Sequence, residues 1–157
     1  MSEPEAPAIR LDGTVLGFDV GMRRIGVAVG NALTGSARAV AVVDMHEAGP
    51  DWAKIERLQR EWRPDGFIVG DPMTLDGGDQ PIRKAARAFA RELHARMKLP
   101  VAMMDERNSS QEAARRFAQA RASGGSKRRD ADLLDAVAAA VIIERWLASP
   151  RDAVAIS

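Results

Sequence analysis

The stretch TVLGFDVGMRRIGVAVGNALTGSARAVAVV, from Thr14 to Val43, decides the fold class of this chain. Its first segment, Thr14 to Asp19, is apolar and ends in a carboxylate, which is typical of a buried strand. Short turns separate it from a second apolar run, Ile25 to Asn31, and from a third, about Ser36 to Val43. Three strands joined by such tight connections predict an antiparallel meander.

Helices alternate with short strands after the meander. The pattern predicts helices over residues 51–63, from about 81, over about 109–121 and over about 131–147, with strands over 66–70 and 101–106. The order βββ-α-β-α-β-α-α favours right-handed crossovers onto parallel strands. We therefore predict an α/β fold with a five-stranded mixed sheet, in which the three-strand antiparallel meander is joined by two parallel strands and helices cover both faces.

Length and composition limit the domain organisation and the kind of metal site. A chain of 157 residues suits one domain with its own core. We expect a disordered lead-in over residues 1–13, a single domain over 14–148 and a tail over 149–157. With no cysteine and only two histidines, the chain would have to bind any metal through oxygen, which favours Mg²⁺ or Mn²⁺.

The apolar runs also bear on localisation. No stretch approaches the ~18 apolar residues of a membrane span, and the N-terminal MSEPEAPAIR lacks the apolar centre of a signal peptide. The sequence therefore predicts a cytoplasmic protein with no membrane partner.

Acidic residues stand where buried elements end, and once within one. Asp19 ends the first strand, Asp105 and Glu106 end the last, and Asp135 lies within LLDAVAAAVII of the final helix. A lone carboxylate in so apolar a helix is costly to bury unless a cation compensates it. Carboxylates at the ends of adjacent strands and on a packed helix can converge on divalent ions, which activate water for phosphoryl transfer.

Each of these acids also has a structural interpretation. Asp19 could be satisfied by backbone amides at a turn, and Asp105 or Glu106 could cap the following helix. Asp135 could pair with an arginine from another helix. Asp132 is open as a further metal ligand or as charge in the first helical turn.

Four segments together resemble the YqgF/RuvX family of pre-16S rRNA nucleases and Holliday junction resolvase-like proteins. They are GFDVGMRRIGVAVGNALTGSARAV, IVGDPMTLDGGDQP, MMDERNSSQEA and KRRDADLLDAVAAAVIIE, and the resemblance spans about Leu16 to Leu147. The resemblance implies the RNase H-like fold and a metal-dependent endonuclease. Its expected partner is nucleic acid, as structured RNA, pre-16S rRNA or branched DNA.

The resemblance also implies roles for the acids. By position, Asp19, Asp135 and one of Asp105 and Glu106 would be catalytic and would hold Mg²⁺ or Mn²⁺. Strand alternation sends Asp105 and Glu106 to opposite sides of the sheet, so one of them is expected to bind metal and the other to have a structural role. The sequence leaves the choice between them open.

The chain departs from the family pattern at a few positions. In the Gly-rich loop, Asp71 stands where a hydrophobic residue usually precedes proline, and Thr74 stands where asparagine is usual. In the third segment, Asn108 replaces a leucine. The acids are intact, so the departures concern substrate contacts rather than the metal site.

A basic segment between Ala113 and Arg129, with six arginines or lysines and no acid, is the expected nucleic-acid contact. A solvated charged face is the alternative. The residues predicted to bind phosphate are Arg107, Lys127, Arg128 and Arg129. On the helix after Pro81, a second set recurs every four residues and is more typical of a solvated face: Arg83, Arg87 and Arg91.

The sequence also leaves two other function classes open besides a nuclease. The FDVG and IGVAV runs also resemble the phosphate-binding hairpin of the actin and sugar-kinase ATPases, which need two such domains where this chain supplies one. An RNase H-like module that binds RNA without cutting is the non-enzymatic alternative, and the retained acids argue against it. Cutting both strands of a junction would call for a two-fold dimer, whereas trimming one RNA strand would not, so monomer and homodimer are both open.

Overall fold

The computed structural model describes Ile9, Arg115 and residues 13–72, 80–106 and 130–156. The strands of the described residues are β1 (Thr14–Val20), β2 (Arg24–Asn31), β3 (Ser36–His46), β4 (Gly49–Pro50), β5 (Gly66–Asp71), β6 (Val101–Asp105) and β7 (Val154–Ile156). The helices are α1 (Trp52–Trp62), α2 (Pro81–Met97) and α3 (Asp130–Ala148), followed by a 3₁₀ turn at Pro150–Asp152. The strands form one sheet in the order β4-β3-β2-β1-β5-β6-β7.

The centre of this sheet has the predicted arrangement. β1, β2 and β3 are antiparallel neighbours, with Thr14 opposite Asn31 at one end of the first pair and Val20 opposite Ile25 at the other. β5 and β6 then add in parallel beside β1. The meander and the two parallel strands are therefore confirmed.

The predicted number of five strands is wrong, because the described residues form seven. Gly49–Pro50 folds back on the end of β3, and Val154–Ile156 pairs antiparallel with β6. Both added strands are too short to show an alternating pattern, and each exists because a sheet edge offers it unpaired backbone groups. The second lies within the C-terminal segment that the sequence assigned to no element.

Two cores lie on opposite faces of the sheet. The face covered by α1 and α2 buries Leu16, Phe18, Phe67, Val69 and Leu93, among others. The face covered by α3 buries Ile9, Val15, Ile68, Ile142 and Ile143, among others. Successive residues of a strand thus enter different cores, and this alternation fixes the face of every side chain near the strand ends.

The helix boundaries agree with the sequence pattern. The Asp51 side chain accepts a hydrogen bond from the Lys54 amide at the start of α1, and Arg63 ends that helix in the left-handed conformation. α3 spans Asp130–Ala148, within a residue of its expected bounds. The helix predicted over 109–121 lies outside the described residues, apart from Arg115.

The structure bears on the predicted N-terminal lead-in at one residue, Ile9. Ile9 is buried in the α3-side core, although the sequence placed it in a disordered lead-in. The domain boundaries stay a prediction. In the part of the chain that the structure describes, no helix is both long enough and apolar enough to cross a membrane.

Candidate active site

Three acidic side chains meet where β1 and β6 end beneath the first turns of α3. Asp19 has the same parity as Val15, so its side chain points to the α3 face of the sheet. Its carboxyl group is hydrogen-bonded to the Glu106 side chain and lies close enough to Asp135 to feel that charge. Residues far apart in sequence are thus brought into one cluster, as expected.

The structure brings Glu106 into the cluster and sends Asp105 away from it. Met104 lies in the core beneath α3 and Met103 in the opposite core, so Glu106 follows Met104 onto the α3 face. Glu106 is buried, with 8% of its surface exposed. Asp105 instead stands opposite Asp71 in the register of β5 and β6, on the α2 side of the sheet.

Close backbone approach at two glycines makes room for these acids. A β carbon on Gly26 would overlap the backbone of Asp135, so α3 rests directly on β2 at this point. A β carbon on Gly70 would lie 2.8 Å from the carboxyl carbon of Glu106. Side chains at either position would push an acid away from the sheet.

Burial raises the pKa of Asp19 above its ordinary value, and the negative charge of Asp135 adds to this effect. The hydrogen bond with Glu106 acts in the opposite direction and lowers that pKa. A hydrogen bond between two carboxyl groups requires that one of them keeps a proton. The site therefore favours either a retained proton or a cation.

An arginine already neutralises one member of the cluster. Arg24, at the start of β2, donates from Nε to Oδ2 of Asp135 at 2.9 Å. The two side chains are 40% and 30% exposed, so the pair lies at the rim of the cluster. The alternative interpretation of Asp135 as an arginine partner is thus realised, although the arginine comes from a strand rather than a helix.

Backbone contacts fix the end of β6, which carries Glu106. The Glu106 amide donates to the Asp71 carbonyl at 3.1 Å, continuing the parallel pairing by one residue. Arg145 of α3 donates from Nη1 to the Asp105 carbonyl at 3.1 Å. The last turns of α3 thereby hold the strand end while its first turns carry Asp135.

The donor set fits a hard divalent cation, but the arrangement is not a closed metal cage. The cluster offers three carboxyl groups and neither sulfur nor imidazole. Mg²⁺ and Mn²⁺ prefer such oxygen ligands. Within the described residues, however, no group of three or more acidic or histidine side chains is arranged to hold an ion as it stands. Asp19 and Glu106 are occupied with each other, and Asp135 is occupied with Arg24.

A second ion pair lies on the other face of the sheet. Arg83 of α2 donates from Nε to Oδ1 of Asp71 at 2.9 Å, and the two side chains are only 10% and 15% exposed. The solvated-face interpretation of Arg83 is therefore wrong, because this arginine points inward at the carboxylate. The pair also gives the acid at position 71 a structural role.

The residues predicted to bind phosphate lie outside the described part of the chain. This applies to Arg107, Lys127, Arg128 and Arg129. Asp132 belongs to α3, but its side chain also lies outside that part. Their roles stay predictions.

Sequence reasoning missed two arginines of the site, Arg24 and Arg145. A signal for Arg24 existed, since it is two residues before Gly26 and therefore shares the strand face on which a glycine admits a helix. Arg145 had no comparable signal. Its contact joins the end of a helix to a strand carbonyl 40 residues away.

Comparison with known proteins places the chain among nucleases. The family model described as "RuvX: Holliday junction resolvase" matches residues 13–149. Curated relatives from Xanthomonas axonopodis pv. citri (strain 306) and Xanthomonas oryzae pv. oryzae (strain PXO99A) are both 65% identical over 150 residues. In each case, 96% of this chain and 97% of the relative are covered, and the relative is named "Putative pre-16S rRNA nuclease".

Solved structures share the fold at much lower identity. The Thermus thermophilus RuvC structure in complex with a Holliday junction has a TM-score of 0.57 at 17% identity, covering 91% of this chain and 99% of that one. The fowlpox virus resolvase in complex with junction DNA has a TM-score of 0.51 at 12% identity, covering 85% and 98%. The sheet and its helices therefore have the fold of RuvC-like resolvases, and the chain belongs to the RuvX family.

Proposed function

We propose that this chain is a metal-dependent endonuclease that hydrolyses a phosphodiester bond, with pre-16S rRNA as its substrate. The observation that carries the proposal is the meeting of Asp19, Glu106 and Asp135 at one end of the sheet, on the face covered by α3. A purely structural role would not explain why the buried Glu106 and the partly buried Asp19 are kept in contact, with a third carboxyl group beside them.

The proposed metal ligands are Asp19, Glu106 and Asp135, which would hold Mg²⁺ or Mn²⁺. When bound, the metal supplies an activated water and neutralises charge on the departing oxygen. Asp105 is excluded from the ligand set because it follows the other core and lies beside Asp71.

The chain's own groups prepare this site in three ways. Burial and the nearby Asp135 charge make a negative charge on Asp19 costly, and a bound cation would relieve that cost. Gly26 lets the backbone of Asp135 approach the sheet closely, and Gly70 leaves room for the Glu106 side chain. Arg145 holds the strand end from which Glu106 projects.

The choice of rRNA over DNA rests on similarity. Relatives that match almost all of this chain at 65% identity carry the rRNA nuclease name. A four-way DNA junction is the second candidate substrate, favoured by the description of the matching family and by the resolvase fold. In either case we assign phosphate binding to the basic residues Arg107, Lys127, Arg128 and Arg129.

The test is cleavage of a labelled rRNA precursor and a labelled four-way junction, side by side, with Mg²⁺, Mn²⁺ or EDTA. Asp19→Asn and Glu106→Gln should each reduce metal-dependent cleavage by at least about 100-fold, since each removes a proposed ligand. Asp105→Asn is the matched control, being an adjacent acid on the other face, and should retain most activity.

The outcomes separate the competing functions. Preferred cutting of the precursor supports the rRNA proposal, whereas preferred cutting of the junction transfers it to branched DNA. Binding of either substrate without cleavage in any metal would establish the non-catalytic module instead. An Asp105→Asn loss as large as that of Glu106→Gln would contradict the ligand set.

A further inference from the structure

The ion pair between Arg24 and Asp135 joins the proposed metal site to the β1–β2 turn. Asp135, one of the three clustered acids, has an arginine partner at hydrogen-bond distance. Arg24 reaches it from the strand beside β1, just after the exposed turn residues Met22 and Arg23. The guanidinium is thus built into the same end of the sheet as the acids.

Electrostatics explains what this guanidinium does when no ion is bound. The partly buried Asp19 and Asp135 repel each other when both are charged, which is one reason that the pKa of Asp19 is raised. Arg24 offsets that repulsion from the rim of the cluster. A divalent cation bound among the same acids would also offset their repulsion, with twice the charge of the guanidinium.

Both cations would compete for the same oxygen atoms. Oδ2 of Asp135 is 2.9 Å from Arg24 Nε, and a carboxylate oxygen engaged in a charged hydrogen bond is a poorer metal ligand. The exposure of both side chains, 40% and 30%, leaves the guanidinium room to move aside without unpacking the core.

We propose that Arg24 is a built-in counter-ion, which holds Asp135 until a divalent cation binds and then gives up that carboxylate to the ion. This inference rests on the proposed metal-dependent function and adds a positioning residue to it. Arg24 keeps the metal-free cluster assembled and, by competing, sets the concentration at which a cation enters.

The first experiment measures Mn²⁺ affinity by isothermal titration calorimetry for the full chain at pH 7.5. Removing the competitor in Arg24→Gln should tighten Mn²⁺ binding by roughly two- to fivefold, the strength of a partly exposed ion pair. Arg23→Gln is the matched control, because it removes the same charge from the neighbouring exposed position, and it should change the affinity much less. Thermal unfolding without metal should show Arg24→Gln, but not Arg23→Gln, to be less stable than wild type.

A second measurement uses only the wild-type chain, so it does not depend on a variant folding. The Nε–Hε NMR signal of Arg24, assigned by through-bond experiments, reports the hydrogen bond to Asp135 directly. Titration with Mg²⁺ should move this signal towards the position of a solvated arginine, with the same midpoint as metal binding. A signal that stays unchanged while Mg²⁺ binds overturns the exchange.

The two proposals fail in different ways. A wild-type chain that binds neither Mn²⁺ nor Mg²⁺ contradicts the metal-dependent function and the exchange with it. Metal binding in wild type that is weakened or unchanged in Arg24→Gln contradicts the exchange alone, because Arg24 would then merely orient Asp135 as a ligand. Tighter binding in Arg24→Gln with lower metal-free stability supports it.

Discussion

Gly26 of β2 lies directly beneath the backbone of Asp135 in α3, so closely that no β carbon fits between them. Because the obstacle is main chain rather than the end of a flexible side chain, α3 itself must shift if position 26 gains a methyl group. The contact therefore determines how near Asp135 comes to Asp19.

Gly26→Ala should reduce the free energy of unfolding by about 1–3 kcal/mol, the usual cost of overpacking, and should also weaken Mn²⁺ binding. Gly30→Ala is the control. Its β carbon would meet the Ile143 side chain under the same helix, away from the acids, so it should cost stability without changing metal affinity. Urea unfolding and calorimetry on both variants measure the two effects, and equal metal affinities would show that the helix position does not control the site.

Asp19→Asn should make the metal-free chain more stable at neutral pH, by about 1 kcal/mol, because it removes a charge that burial and Asp135 both disfavour. The unfolded chain ionises Asp19 near an ordinary pKa of about 3.9, whereas burial and Asp135 raise the pKa in the folded chain. Between these values the folded state binds more protons, so the free energy of unfolding of wild type falls as the pH rises through the folded pKa.

The pH dependence of this difference is the diagnostic. Asparagine does not titrate, so the advantage of Asp19→Asn over wild type should grow from pH 4 to pH 7 and vanish at lower pH. Urea unfolding across that range in EDTA measures it. An advantage that is constant with pH would mean that ionisation of Asp19 is not its source.

The buried pair of Asp71 and Arg83 should behave as a unit. Asp71→Leu places a hydrophobic residue before Pro72 and removes from the buried Arg83 the carboxylate at 2.9 Å, which should cost about 3 kcal/mol. Asp71→Leu combined with Arg83→Leu should recover most of that loss, since a well-packed apolar pair often replaces a buried ion pair at little cost. A double-mutant cycle by urea unfolding measures the coupling, and additive losses would contradict it.

The C-terminal strand should contribute through one side chain in particular. Ile156 packs against the core of the α2 side, whereas Val154 is 67% exposed on the same strand. Ile156→Ala should reduce the free energy of unfolding by about 1–2 kcal/mol, and Val154→Ala by less than about 0.5 kcal/mol. Thermal or urea unfolding compares them, and similar losses would mean that the pairing with β6, rather than packing, stabilises this end.

The sequence predicts the helices and strands that have a recognisable apolar pattern. It misses the short strands that form only because they pair with the edge of another strand. α1, α3 and the three-strand meander follow from apolar spacing, turns and caps. β7 could not be found in this way, because its three residues gain their structure from the unpaired edge of β6. The same holds for the Gly49–Pro50 strand, which depends on the end of β3.

For the site, the three clustered acids could be predicted, but the choice between Asp105 and Glu106 could not. Strand β6 is apolar on both faces, so VAMM carries no polar mark to tell which side α3 covers. Only the packing of Met103 and Met104 into different cores decides it. The burial of the Arg83 side chain could not be predicted either, because its partner Asp71 lies on a different element.

Arg24 and Asp135 are 111 residues apart along the chain, so their ion pair can form only late in the synthesis of this stretch. A chain that folds from its N-terminus during synthesis can assemble the meander early, but the acids of β1 and β6 must wait for α3, which is made much later. Assembly of the proposed metal site therefore depends on the synthesis of α3. A nascent chain that has not yet reached α3 would have the meander without the acid cluster.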